Sequence, residues 1–120
     1  MSRDRVRRVL GVDRLTARPT RTTAYTRPMA LLDQPARDRF LASHPEWDLD
    51  GEVLSRTFGF GDFVEAMGFV TRVALLAEKA FHHPDLDIRW NRVTVRLSTH
   101  SEGGLTEKDT DLAAQMDGLA

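Results

Sequence analysis

The chain has 120 residues, of which 41% are hydrophobic and 29% are charged, and this is the ordinary composition of one soluble globular domain. It contains no cysteine, which excludes disulfides, thiolate zinc sites and cysteine nucleophiles. No run approaches the roughly 20 apolar residues that a membrane span requires and no secretory signal pattern is present, so we expect a cytoplasmic protein without a membrane partner.

The first 28 residues differ from the rest in charge. Residues 1–27 hold eight arginines and two aspartates, a net charge of +6, whereas the remainder carries −7. Three interpretations are open: a flexible basic tail that contacts nucleic acid or acidic surfaces, an organelle-targeting segment, or an extension upstream of a start at Met29. We expect a flexible extension over 1–28 and a folded domain over 29–120. Charge asymmetry alone does not establish a nucleic-acid partner, and we expect none.

The domain begins with a predicted helix and two predicted strands. Apolar residues at helical spacing over 31–41 predict a short helix, which His44-Pro45 ends. Trp47 to Gly51 and Val53 to Phe60 are predicted strands, joined by a tight turn at Asp50-Gly51.

A long amphipathic helix is predicted next. Asp62 has the character of an N-cap, and Glu65 follows at the capping-box spacing. Two apolar ridges run along the helix, and so wide an apolar stripe predicts contact with both a sheet and another subunit. The first ridge comprises Phe63, Ala66, Met67, Val70, Ala74, Ala77 and Phe81, and the second comprises Phe69, Val73 and Leu76.

The last third predicts two more strands and a helix. Val93, Val95 and Leu97 alternate with polar residues, and a turn near Asn91 divides residues 87–99 into two strands. Thr106 is the predicted N-cap of a final helix. The order helix-β-β-helix-β-β-helix predicts an α+β two-layer sandwich, a four-stranded antiparallel sheet with the helices on one face.

Three of the four histidines occur within nineteen residues, beside the ends of predicted elements. His82 and His83 precede Pro84 at the end of the long helix, and His100 ends a strand. Imidazoles transfer protons near neutral pH. Glu78 lies four residues before His82, which places both on one helix face, where a carboxylate orients the ring.

Less specific interpretations remain for each of these residues. A histidine near a helix C-terminus is favourable through the helix dipole alone, and Glu78 fits a solvated helix position. Three histidines also suit zinc, but adjacent side chains diverge by about 100° on a helix, so we expect no metal. Trp47 fits core packing or a pocket wall. Asp109 is most simply a first-turn residue favoured by the helix N-terminus.

These residues together carry a family resemblance. The chain resembles the pterin-4a-carbinolamine dehydratases, also known as dimerisation cofactors of a homeodomain transcription factor, over about residues 30–117. The signature reads Glu78, His82-His83-Pro84, Trp90, His100 and Asp109, and the flanking segments Phe58 to Phe63, Phe69 to Ala74, Asn91 to Val93, Leu97 to His100 and Gly104 to Thr106 also match.

The resemblance implies an enzyme that dehydrates 4a-hydroxytetrahydropterin to quinonoid dihydropterin, recycling the cofactor of aromatic amino acid hydroxylases. It implies no metal or cofactor, and a homodimer or homotetramer. By this resemblance His82 and His83 perform the acid/base chemistry, Glu78 supports His82, and His100 holds or protonates the leaving hydroxyl. The implied substrate-binding residues are Trp47, Phe81, His82, His83, Pro84, Ser98, Thr99, His100 and Ser101.

Two positions depart from the family pattern. Phe81 stands where relatives often have a polar residue, and Ser101 replaces the usual acidic residue after the third histidine. Neither change removes a proton-transfer group. The alternative from another class is a non-catalytic pterin-binding or dimerisation module that uses the ridge of Phe69, Val73 and Leu76. Such a module has no need of all three histidines, so their presence favours catalysis.

Overall fold

The computed structural model describes residues 30–120, and the basic segment 1–28 and Met29 lie outside the described residues. Its elements follow the predicted order. They are α1 (Gln34–Ser43), β1 (Asp48–Asp50), β2 (Val53–Gly59), α2 (Phe63–Ala80), β3 (Asp85–Arg89), β4 (Arg92–Leu97) and α3 (Glu107–Asp117), with a short 3-10 turn at His100–Glu102. The predicted α+β class is therefore confirmed. None of the helices in this part of the chain is both long and apolar enough to cross a bilayer.

The four strands form one antiparallel sheet in the order β1-β2-β4-β3. The first hairpin turns one residue later than predicted, because Asp50 still pairs with Val53 and the turn consists of Gly51 and Glu52. Gly51 has φ +62°, a left-handed conformation that glycine adopts without steric cost. This shift brings Glu52 to the tip of the hairpin.

The core lies between one face of the sheet and the helices. Phe58 of β2 pairs with Val93 of β4, and Leu54 pairs with Leu97, so alternate residues of the central strands face the same layer. Buried residues of α2 and α3 complete this layer. The fully or almost fully buried apolar set is Trp47, Leu54, Phe58, Ala66, Phe69, Val73, Ala77, Val93, Val95, Leu97, Leu105, Leu112, Ala113 and Met116.

The core uses the ridge of α2 that the alternative of a dimerisation module requires on the surface. Phe69 and Val73, which that alternative places against a partner chain, are fully buried in the core, and only Leu76 of that ridge is half-buried. The apolar side chains that α2 leaves in solvent include Val64 and Leu75, which are 77% and 69% exposed. Two ridges of similar hydrophobicity are equivalent along a helix, and packing against the sheet decides between them.

The N-terminus of α2 has the predicted cap with one change. The Asp62 side chain accepts a hydrogen bond from the Glu65 N–H at 2.9 Å, as a capping box requires. The Glu65 carboxylate accepts instead from the N–H of Gly61, also at 2.9 Å. In the predicted capping box, the Glu65 carboxylate would accept from the N–H of Asp62. The observed bond is to the preceding residue, Gly61, and it holds the chain just before α2.

The structure places Trp47 in the core, so it does not line a pocket. Its side chain is 2% exposed, its ring meets Phe58 edge-on, and its Nε1–H donates to Asp117 at 2.8 Å. The guanidinium of Arg56 binds the same carboxylate at 2.6 Å. Asp117 therefore ties the end of α3 to β2 and to the residue before β1, and Trp47 has no face left for a substrate.

Candidate active site

The end of α2 sets the direction of the two adjacent histidines. Phe81 has φ +54° and ψ +37°, and its N–H bonds to the Glu78 carbonyl while the His82 N–H bonds to the Ala77 carbonyl. This is the hydrogen-bond pattern of a Schellman motif, in which glycine is usual at the left-handed position. The helix thus stops before His82, and consecutive side chains leave it in different directions.

His82 points into the protein and meets a buried carboxylate. Its Nε2 lies 2.5 Å from Oδ1 of Asp109 in the first turn of α3. The Asp109 side chain is fully buried and that of His82 is only 10% exposed. A buried carboxylate is stable only when donors surround it, so this contact fixes the position of the imidazole.

Two threonines supply the other donors to Asp109. Its Oδ2 accepts from the Thr99 hydroxyl at 2.8 Å and from the Thr106 N–H at 3.0 Å. The Thr99 and Thr106 hydroxyls are also 2.8 Å apart. Because a hydroxyl carries one proton, the Thr106 hydroxyl donates to Thr99 and Thr99 donates to the carboxylate. The network leaves Oδ1 of Asp109 for His82.

Glu78 contacts His83, which corrects its expected pairing with His82. Oε1 of Glu78 lies 2.7 Å from Nε2 of His83, and both side chains are largely exposed. The i to i+4 spacing that placed Glu78 beside His82 applies only within a helix, and the left-handed Phe81 interrupts that geometry. His83 therefore has an exposed carboxylate partner, whereas His82 has a buried one.

The segment after β4 places His100 next to Thr99 in a closed loop. Thr99 and Gly104 exchange two backbone hydrogen bonds, of 3.0 and 3.2 Å. These bonds close a loop that begins with the 3-10 turn His100–Glu102. His100 and Ser101 are exposed and Ser98 is half-buried. His100 is thus the neighbour of Thr99, whose hydroxyl binds Asp109.

Thr99 and Asp109 have roles that the sequence analysis did not assign. Thr99 was expected at the substrate rim, but it is buried and holds Asp109. Asp109 was interpreted as a simple first-turn residue, although it lies in the resemblance signature. Thr106 and Asp109 form a full capping box, and this spacing is visible in the sequence. The bond between Asp109 and His82 depends on the meeting of α2 and α3, which no local spacing records.

The site combines an exposed and a buried imidazole–carboxylate pair. Within residues 30–120, no three His, Cys, Asp or Glu side chains are grouped closely enough to hold a metal ion. Imidazole is the usual group for proton transfer near neutral pH. What the described side chains offer is general acid and general base chemistry at the end of α2.

Comparison with known proteins assigns the chain to one family. Residues 30–119 match the family model described as pterin 4 alpha carbinolamine dehydratase. A protein of Acidobacterium capsulatum, provisionally named pterin-4-alpha-carbinolamine dehydratase, is 52% identical over 91 residues, which cover 76% of this chain and 99% of that protein. A protein of Chloroflexus aurantiacus with the same provisional name is 56% identical over 77 residues, covering 64% of this chain and 83% of its own length.

Two solved structures are similar. The transcriptional coactivator/pterin dehydratase from Brucella melitensis superimposes with a TM-score of 0.73 and 40% sequence identity, over 76% of this chain and 99% of that chain. A pterin dehydratase-like protein described as a RuBisCO assembly factor in the alpha-carboxysome has a TM-score of 0.52 and 25% identity, over 62% of this chain and 86% of its own. By its fold, by the family model that it matches and by these relatives, the chain belongs to the pterin 4 alpha carbinolamine dehydratase family.

Proposed function

We propose that this protein catalyses the dehydration of 4a-hydroxytetrahydrobiopterin to quinonoid dihydropterin. In this reaction the C4a–O bond breaks, the hydroxyl leaves as water after it gains a proton, and N5 loses its proton as the C4a–N5 double bond forms. One group must therefore donate a proton and another must accept one. The two imidazole–carboxylate pairs can supply both functions.

The observation that carries this proposal is the buried bond between His82 and Asp109. A carboxylate only accepts hydrogen bonds, so Nε2 of His82 carries its proton toward Asp109. The ring therefore uses Nδ1 for proton exchange, as an acceptor when neutral and as a donor when protonated. A carboxylate that fixes the tautomer of an imidazole in this way also stabilises the imidazolium that forms during transfer.

The other histidines complete the proposed chemistry. His83, with Glu78 as its partner, exchanges the second proton, and His100 holds or protonates the departing hydroxyl. The exposure of His83 and His100 allows a substrate to reach both. We propose that the pterin lies against the end of α2 and the loop after β4, in contact with Phe81, His82, His83, Pro84, Ser98, His100 and Ser101.

The test is the dehydration of chemically generated 4a-hydroxytetrahydropterin, followed by ultraviolet absorbance. We expect rapid turnover by the wild-type protein, and a loss on the order of 10²-fold or more in His82→Ala and in His83→Ala, the usual contribution of one acid or base. His44→Ala is the matched control. His44 is the C-cap of α1, where its ring stacks on Phe40, and it lies far from the site residues in the sequence. Full activity in both folded site variants would refute the proposed function.

A protein-binding role is the second candidate. Three apolar side chains of α2 are between 50% and 77% exposed, namely Phe63, Val64 and Leu75, and exposed apolar surface is where protein partners bind. Val64→Asp and Leu75→Asp should leave turnover intact but abolish self-association or partner binding, as measured by sedimentation. If both variants sediment as the wild type does, α2 is not the binding surface.

We further propose that the protein acts in tetrahydrobiopterin recycling in the cytoplasm, as a homodimer or homotetramer, without a cofactor. In this proposal residues 29–120 form the catalytic domain and the basic segment 1–28 is an extension. Deletion of residues 1–28 should leave folding and turnover unchanged. A loss of turnover in the shortened chain would show that the extension contributes to catalysis.

A further inference from the structure

Arg37 and Glu52 form a bidentate ion pair between α1 and the first hairpin. Nη2 of Arg37 lies 2.8 Å from Oε1 of Glu52 and Nη1 lies 3.0 Å from Oε2, a bidentate arrangement that fixes both side chains. Nε of Arg37 also donates to the Leu32 carbonyl at 2.9 Å. The Arg37 side chain is 11% exposed and that of Glu52 is 43% exposed, so the pair has one partly buried and one solvent-facing partner.

The same carboxylate holds the backbone that leads to the site. Oε1 of Glu52 accepts the Leu105 N–H at 2.9 Å, and the Leu105 carbonyl accepts the Leu32 N–H, also at 2.9 Å. Both backbone groups of Leu105 are therefore bound by residues from the start of the domain. Leu105 immediately precedes Thr106, whose N–H binds Asp109.

Gly104 allows this close approach. A Cβ atom at Gly104 would overlap the carboxylate of Glu52. Gly104 also makes the two backbone bonds with Thr99 that close the His100 loop. The Glu52 carboxylate thus lies against the point where the His100 loop and the cap of α3 meet.

We propose that Glu52, held by Arg37, is a positioning residue for the two imidazoles His82 and His100. It fixes the backbone of Leu105. On one side of Leu105, Thr106 and Asp109 follow and hold His82. On the other side, Gly104 precedes and pairs with Thr99, the neighbour of His100. The proposal rests on the proposed function, because the expected change in kcat is that of the proposed dehydration. In support, the Arg37 hydrogen bond and then the Leu105 N–H hold the pKa of Glu52 below its ordinary value, because both donors favour the ionised carboxylate.

The experiment compares Glu52→Ala with Asp117→Asn. Asp117 also forms a short ion pair, with Arg56, and its other hydrogen bond is to Trp47, so its loss controls for general destabilisation. At a temperature where both variants are folded, we expect Glu52→Ala to lower kcat by about 10- to 100-fold, since small misplacements distant from the chemistry can cost about 10²-fold. Asp117→Asn should keep the wild-type kcat, and Glu52→Gln, which retains an acceptor for Leu105, should lose less than Glu52→Ala.

A proton NMR measurement tests the positioning without turnover. The Nε2 proton of His82, in its short bond to Asp109, should give a downfield signal in the wild type and in Asp117→Asn. We expect this signal to shift or broaden in Glu52→Ala. If Glu52→Ala shows the wild-type signal and kcat, the proposal is overturned. If the wild type itself lacks turnover, the proposed function fails, while an altered signal in Glu52→Ala still supports positioning of His82.

Gly104→Ala provides a second variant that leaves Glu52 in place. The added methyl group should displace the Glu52 carboxylate from the Leu105 N–H. The Nε2 proton signal of His82 in Gly104→Ala should therefore change as it does in Glu52→Ala. In the Glu52→Ala background, Gly104→Ala should add little, because both changes break the same contact. Gly59→Ala, where an added Cβ has open space, is the control. Additive effects of Gly104→Ala and Glu52→Ala would overturn the shared mechanism.

Discussion

The buried carboxylate of Asp109 is the most informative target for substitution. It accepts three hydrogen bonds, from His82, Thr99 and Thr106. Asp109→Ala would leave three donors without a partner, at about 1–3 kcal/mol each, and the sum is comparable with the whole stability of roughly 5–15 kcal/mol of a small domain. Asp109→Asn is the better variant because it preserves the shape of the side chain.

In Asp109→Asn the amide oxygen can still accept from Thr99 and Thr106. The amide NH₂ group then faces Nε2 of His82, which must become an acceptor, and the ring proton moves to Nδ1. One charge-assisted hydrogen bond is lost, which costs about 1.5–3 kcal/mol. For a domain of this size, 2 kcal/mol lowers Tm by roughly 8–16 °C. Because Nδ1 is the proposed proton-transfer atom, we expect kcat to fall on the order of 10²–10⁴-fold.

Three measurements check this prediction. Ultraviolet absorbance gives kcat for the dehydration, thermal unfolding gives Tm, and ¹⁵N NMR of the imidazole reports which nitrogen of His82 carries the proton. Asp111→Asn is the matched control, since Asp111 is an exposed aspartate on the same helix and should leave all three quantities unchanged. If Asp109→Asn keeps the wild-type kcat while the proton has moved to Nδ1, the assigned role of His82 in proton transfer is wrong.

Three further results are expected. Phe69→Ala, which empties a fully buried position beside Phe58 and Phe60, should lower the free energy of unfolding in urea by about 3–5 kcal/mol, and a loss below 1 kcal/mol would contradict its place in the core. Phe81→Gly should raise the free energy of unfolding by up to about 1 kcal/mol, because the left-handed backbone strains any residue other than glycine and the Phe81 ring is 83% exposed. A clear destabilisation would reveal contacts of the ring. The lowered pKa of Glu52 contributes stability that is present above the ordinary glutamate pKa and is lost as pH falls through the folded value. The Tm advantage of wild type over Glu52→Gln should therefore be constant at neutral pH and shrink as the pH falls below the ordinary glutamate pKa of about 4.3, and an advantage that stays constant in strong acid would contradict it.

Local patterns in the sequence determined the elements and their order. Alternation in β4 and the caps at Asp62 and Thr106 depend on neighbours within a few residues, and short-range backbone and side-chain physics sets them. The spacing of His82, His83 and His100 likewise predicted a candidate site for proton transfer. Family membership followed from the same residues.

Tertiary structure decided which residues meet. Phe81 adopts a left-handed conformation that glycine usually occupies, so the helical spacing of Glu78 and His82 did not hold, and Asp109 became the partner of His82. The choice between the two ridges of α2 depended on the sheet. Such contacts join residues far apart in the chain, as His82 and Asp109 are, and their energies arise only when the packed elements exclude water.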